Sequence, residues 1–286
     1  MAKFREQKTI TGDFMRVNIY PTRQYQYGRK QKSKPTSATQ ARLNELKRTH
    51  YLGDIINLNF SKRSHQIKLD YSAFIAREGR NPTADECVRE MRNFIRRLKR
   101  RFGKNIKYIY ATELGVRGGK SHHHMIVDES IAVSEIYELW SAGGVWSRKL
   151  YFDKKGCFDL AGYFVKSKYS YRSYTCSKNL IRPREEGKDK CVFKSDYTIR
   201  QKQVNTILNG ELEELSRLYP GWSLAALPEV AHTIDQNTGE VSLPTWGVFI
   251  TIYFYKPEGL SDGTQSFKRY QDITEWRDTN VTEKCV

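Results

Sequence analysis

Three of the chain's six histidines stand side by side, His122, His123 and His124, and a carboxylate, Glu113, precedes them across a glycine-rich stretch. Imidazole and carboxylate hold divalent cations at neutral pH. What this set does depends on which members face the same way. Strand side chains alternate between faces, so His122 and His124 share one face and His123 takes the other. Glu113, on a partner strand, can join the outer pair. Two imidazoles and a carboxylate converging on one sheet face make a divalent-metal site with open positions. The mixed N/O set suits manganese, magnesium or zinc, and without a thiolate a purely structural zinc site is disfavoured. The plainer readings are a solvated polar patch or a purification-tag remnant. A tag sits at a terminus in disordered sequence, whereas this run opens an apolar strand.

The surrounding residues supply that strand. From Ile106 to Val127, Tyr108 and Tyr110 alternate with Ile109 and Ala111, and Met125, Ile126 and Val127 form an apolar run. Gly115, Gly118 and Gly119 provide turn chemistry between them, so the pattern predicts a β-hairpin. Further on, a turn at Lys154 to Gly156 leads to Asp159, a natural N-cap for a helix bearing Tyr163 and Lys166. Three residues apart, these two share a helix face. A phenol near pKa 10 is a weak nucleophile. A neighbouring ammonium favours the phenolate and can neutralise a phosphorane-like transition state. Tyrosine on a helix usually packs and lysine is usually solvated, so Y-x-x-K acquires weight only from its place downstream of the metal set. Tyr169, Tyr171 and Tyr174 are rival phenols.

The rest of the chain frames this region. Phe14 to Tyr20 reads as a strand before Pro21, and Arg23 to Lys34 as a basic arm or solvated linker. Ser37 and Gln40 suggest a capping box for a helix with Leu43 and Leu46. Ile56, Leu58 and Phe60 alternate with Asn57 and Asn59, predicting a half-buried strand over Ile55 to Ser61 beside the histidine hairpin. Pro82, then Thr83 with Glu86, opens the best-marked helix, with Val88, Met91, Ile95, Leu98 and Phe102 on one stripe. Its basic end, Arg96 to Arg101, complements the helix dipole and is placed to meet phosphates. Further helices are predicted over Ile131 to Ala142 and over Tyr197 to Leu218, the latter broken at Asn209-Gly210. Strands are predicted at Val145 to Phe152, Leu224 to Val230 and Val248 to Tyr255. The tail from Gly259 is polar.

Composition points to the partner. Lys and Arg outnumber Asp and Glu 49 to 32, giving net charge +17 and a pI of about 9.6, which implies a polyanion, nucleic acid before an acidic membrane. Eighteen tyrosines fit stacking on unpaired bases. The five scattered cysteines form no C-x-x-C pair, so neither a zinc finger nor a disulfide framework is suggested. With no apolar signal region and no run of membrane-spanning length, a soluble cytoplasmic protein is expected. There is no P-loop pattern, so no helicase domain is expected.

An alternating strand, a basic helix, then E-L-G-V-R-G-G-K-S-H-H-H-M-I and Y-F-V-K on a helix resembles the HUH endonucleases, and among them the rolling-circle replication initiators (Rep proteins) of bacterial plasmids, phages and integrated elements. The likeness covers about Gly53 to Pro183. His123 stands where the family has a hydrophobic residue. The resemblance implies an α+β, ferredoxin- or RNA-recognition-like fold with a central antiparallel sheet and flanking helices. It implies that Glu113, His122 and His124 bind Mg²⁺ or Mn²⁺, that Tyr163 attacks a scissile phosphate of single-stranded or hairpin origin DNA to leave a 5′-phosphotyrosyl link, and that Lys166 assists. A host helicase and polymerase are the further partners of such an initiator. The expected organisation is a lead-in segment with a basic arm over 1–50, an endonuclease core over 51–183 and an extension of open role over 184–286. A transposase or relaxase of the same superfamily is the alternative enzyme, and a non-catalytic nucleic-acid-binding protein is the alternative from another class.

Overall fold

A computed structural model describes residues 4–21, 38–115, 119–166, 173–188, 190–199, 201–211, 213–230, 233–234, 241–242 and 249–257. The basic arm at 23–34, Ser37 of the suggested capping box, Gly118, Tyr169, Tyr171 and the tail from Gly259 lie outside the described residues.

The chain opens with a hairpin, β1 (Phe4–Thr11) and β2 (Phe14–Pro21), followed by α1 (Ala38–Asn59). Next come β3 (His65–Asp70), α2 (Ser72–Glu78), α3 (Ala84–Phe102), β4 (Tyr108–Glu113), β5 (His122–Val127), α4 (Val133–Leu139) and β6 (Val145–Lys149). After these, α5 (Phe158–Lys166) and β7 (Thr175–Cys176) complete the central region. Its sheet runs β6-β3-β5-β4-β7, every pairing antiparallel. β3 to β6, with α2 and α3 after the first strand and α4 after the third, form the β-α-β-β-α-β unit of a ferredoxin-like fold. The expected α+β class with a central antiparallel sheet is what the chain adopts.

Each face of this sheet has its own cover. Ile67, Leu69, Tyr108, Met125 and Val127 project to one side and meet α2, α3 and α4. α3 starts where the sequence predicts it. Thr83 accepts from the Glu86 backbone while the Glu86 side chain accepts from the Thr83 backbone, a reciprocal cap worth about 1 kcal/mol. Its stripe of Cys87, Met91, Phe94, Ile95 and Leu98 is buried. Ile109, Ala111 and Ile126 project to the other side, where α1 and α5 bring Leu52, Ile55, Ile56, Ala161, Phe164 and Val165.

The strand expected over Ile55 to Ser61 is a correction. That stretch continues α1 to Asn59, so the predicted helix with Leu43 and Leu46 runs straight through it. The apolar-polar alternation over Ile56 to Phe60 is only part of a helical pattern in which Leu52, Ile55 and Ile56 are fully buried. The strand that flanks the histidine hairpin is β3 instead. α1 buries both sides, apolar residues towards the central sheet and polar ones towards a second sheet. There Asp54 pairs with Arg16 at 2.6 Å and His50 Nε2 meets the Tyr253 hydroxyl at 2.7 Å. Enclosure on both sides leaves no polar face to mark the helix in sequence.

The second sheet is built from both ends of the chain. β8 (Val192–Ile199), α6 (Gln201–Leu208), α7 (Glu213–Leu218), β9 (Ser223–Leu224), β10 (Glu229–Val230), β11 (Thr233–Ile234), β12 (Val241–Ser242) and β13 (Ile250–Tyr255) follow in order. The sheet runs β10-β13-β2-β1-β8, with β9 also on β13, while β11 and β12 pair with each other. β8 takes residues expected at the start of a helix, and the single strand expected over Leu224 to Val230 is two short strands. α1 crosses position 50, and β2 pairs directly with β13.

Candidate metal and nucleophile site

The hairpin turn brings the candidate ligands together. A Cβ on Gly115 would lie 2.0 Å from the Gly119 carbonyl oxygen, so the two arms approach as only glycine allows. β4 and β5 then pair with Glu113 opposite His122 and Ala111 opposite His124. Both histidines and the carboxylate share the face covered by α1 and α5. α5 crosses beside them because Gly53 on α1 lets Phe158 in, a Cβ there lying 2.3 Å from that ring.

The resulting cluster is close. His122 Nε2 and His124 Nε2 are 2.9 Å apart, and Glu113 Oε2 lies 3.3 Å from the first and 3.7 Å from the second. Neighbouring ligands about 2.1 Å from one ion are about 3.0 Å apart at octahedral angles and about 3.4 Å apart at tetrahedral ones. The three separations fit one small divalent cation with positions left open. His122 Nδ1 lies 3.0 Å from the Lys120 carbonyl. A carbonyl accepts only, so Nδ1 carries the hydrogen and Nε2 presents its lone pair to the site. Burial and the neighbouring His122, together with Lys68 and Arg148, lower the His124 pKa to about 4. Its ring is therefore neutral at pH 7, the form that ligates a metal.

His123 occupies the other face. Its Nε2 meets the Tyr71 hydroxyl at 2.6 Å and its Nδ1 the Thr112 hydroxyl at 2.8 Å, within rings of Tyr71, Tyr110 and Trp140. Burial holds its pKa near 3. It is a neutral core residue with both nitrogens satisfied, and does the packing of the hydrophobic residue it replaces.

Tyr163 closes the cluster. Its hydroxyl donates to Glu113 Oε2 at 2.9 Å and lies 3.0 Å from His124 Nε2. Burial, this hydrogen bond and the Glu113 charge raise its pKa to about 12, so at rest it is a neutral phenol. Lys166 is exposed in the last turn of α5, outside the contacts that join the other four. Tyr174 is half-buried among α1 and α5 core residues, with burial first among the causes raising its pKa to about 12. Asp159, expected to cap α5, lies in its first turn, where its charge also suits the helix dipole.

Sequence reasoning did not single out Lys68, Trp146 and Arg148. Lys68 pairs with His124 on one side and Trp146 on the other. An exposed tryptophan alternating with an arginine in V-W-S-R-K was the available signal.

An α+β domain with a two-histidine, one-carboxylate cluster beside a tyrosine is the class that the fold and geometry define. Residues 67–169 match the family model of the ORF2-type replication-associated proteins. That segment runs from β3 to just past α5 and contains Glu113, His122, His124 and Tyr163. It places this part of the chain with the replication-associated proteins and supports the rolling-circle initiator resemblance read from the sequence. No curated protein and no solved structure matches the chain. Among the described residues no helix is long and apolar enough to cross a membrane.

Proposed function

We propose that the chain is a metal-dependent nickase of single-stranded DNA that initiates rolling-circle replication through a covalent tyrosyl intermediate. The observation that carries this reading is the Tyr163 hydroxyl, held within 3.0 Å of both Glu113 and His124 on the face of the candidate metal cluster. A phosphodiester needs an in-line nucleophile and a means of neutralising charge on its non-bridging oxygens. A Mg²⁺ or Mn²⁺ ion held by Glu113, His122 and His124 would polarise and orient the scissile phosphate.

The chain's own residues supply the rest. Tyr163 Oη attacks phosphorus, its proton passes to a neighbouring acceptor, and the bond from phosphorus to the 3′ oxygen breaks. The departing oxygen takes up a proton to become a 3′-hydroxyl, and the 5′ side remains on Tyr163 as a phosphodiester. Because the bond type is conserved, attack by the 3′-hydroxyl restores the strand and no nucleotide cofactor is required. Lys166, one turn beyond Tyr163, supplies positive charge near the phosphate once DNA is bound.

The experiment is incubation with labelled single-stranded DNA carrying the origin of the genetic element that encodes the chain, with Mn²⁺ or with EDTA, resolved on a denaturing gel. A nicked strand and a protein-linked band, both dependent on Mn²⁺, are expected. Tight binding that persists in EDTA with no cleavage in any metal would instead favour a non-catalytic DNA-binding protein.

A further inference from the structure

Beside the cluster the sheet face stays open. α1 and α5 cover it over β4 and β5, but over β3 and β6 a groove of about 450 Å³ runs away from Tyr163. Its floor is a row set by strand register. His124 on β5 lies opposite Lys68 on β3, and Lys68 opposite Trp146 on β6. At about 4.8 Å per strand, the row carries a cation and then an indole across about 10 Å from the metal cluster.

The row has the chemistry of a nucleotide subsite. Trp146 is 51% exposed although it is the largest apolar side chain type, and Tyr151 on the groove wall is 61% exposed. The Arg148 guanidinium lies over the Trp146 ring, 5.5 Å from its centroid, and its Nε donates to Gln66 Oε1 at 2.9 Å. That bond fixes the cation against the indole and leaves much of the ring in water. The one buried carboxylate beside the groove, Asp153, is turned into its own loop, where it accepts from the Lys155 backbone at 2.6 Å. Exposed aromatic surface interleaved with fixed cations suits unpaired bases and their phosphates, whereas a duplex hides its base faces.

We infer that Trp146, Arg148 and Lys68 form a subsite for the nucleotides flanking the scissile phosphate, with one base stacked on Trp146 and the backbone on the two cations. The occupant is single-stranded DNA. The inference rests on the nickase reading for which nucleotides lie there, but binding in the groove needs no cleavage.

The test is fluorescence anisotropy of a labelled oligothymidylate with the full chain in EDTA, which separates binding from nicking. Trp146→Ala is expected to weaken binding about 5- to 150-fold, the range of a single base–aromatic stack, and Trp146→Phe to retain most of it. Lys68→Ala and Arg148→Gln are each expected to lower the salt dependence by about 0.7 in log–log slope, the value for one phosphate contact on a single strand. Trp146→Ala binding within twofold of wild type would overturn the subsite, as would wild type failing to hold the oligomer. Equal competition by a duplex of the same length would overturn the single-strand assignment. Loss of binding in Trp146→Ala alongside an absence of cleavage by wild type would retain the groove and remove the nickase reading.

Discussion

The Nε2 atoms of His122 and His124 lie 2.9 Å apart on one sheet face, with Glu113 Oε2 completing a triangle. Two neutral imidazole lone pairs at that distance repel unless a proton or a cation sits between them, so the arrangement is poised for an ion. Isothermal titration of Mn²⁺ into the full chain should show one site. Ala at His122, His124 or Glu113 should weaken it by roughly a hundredfold or more, since even the hydrogen-bond partners of metal ligands are worth about 10–100-fold. The ion should also raise the wild-type melting temperature, because it binds the folded state. Affinity unchanged in all three variants would remove the cluster as a metal site.

His123 is expected to matter for stability. Replacing it with Ala leaves the Tyr71 and Thr112 hydroxyls without their ring partner and opens a cavity beneath Trp140, at a cost of about 2–4 kcal/mol. Urea unfolding measures this. A loss below about 0.5 kcal/mol would contradict the core role.

Gly53 links packing to function at a distance. Its missing side chain admits the Phe158 ring at the start of α5, and Tyr163 rides on the same helix. Gly53→Ala should displace α5 and cut the nicking rate by about tenfold or more while Mn²⁺ affinity changes little, because a misplacement of about 1 Å can cost about a hundredfold. An unchanged rate would show that the helix crossing does not set the position of the nucleophile.

Acid should unfold the chain partly through its buried histidines. Burial, Arg16 and Lys155 lower the His50 pKa to about 3, and burial with its neighbours does the same for His123. Both are depressed from 6.5, so between about pH 6.5 and 3 the unfolded state binds more protons and stability falls as pH falls. Asp153, raised from 3.8 to about 6 by burial and Asp159, acts oppositely and stabilises the fold as pH drops from about 6 to 4. Denaturant titrations across this range should show a slope approaching 1.4 kcal/mol per pH unit for each titrating histidine. His50→Asn should make the slope shallower by up to that amount, and an unchanged slope would contradict the assignment.

Much of the site was legible because its signals are local. The alternation of Tyr108, Ile109, Tyr110 and Ala111, the glycines of the turn and the capping box at Thr83 each specify one backbone geometry from nearby residues. The family match over 67–169 agrees with the initiator resemblance drawn from them. What was not legible depended on distant partners. Asn57 and Asn59 read as the polar face of a strand because nothing local reveals that α1 is enclosed between two sheets. Asn57 Nδ2 reaches Thr11, and the Asn59 side chain bonds the Ile181 backbone. β1 and β8 were missed for a similar reason, their pairing joining Phe4 to Ile199. Trp146 went unremarked because an isolated tryptophan on a predicted strand looks like core until the open edge is known.

The most direct test of the central claim is to digest the DNA-linked protein and locate the modified peptide by mass spectrometry. The account predicts a nucleotide-bearing phosphodiester on Tyr163, formed only with divalent metal and absent from Tyr163→Phe. A link on Tyr169, Tyr171 or Tyr174, or an adduct undiminished in Tyr163→Phe, would contradict it.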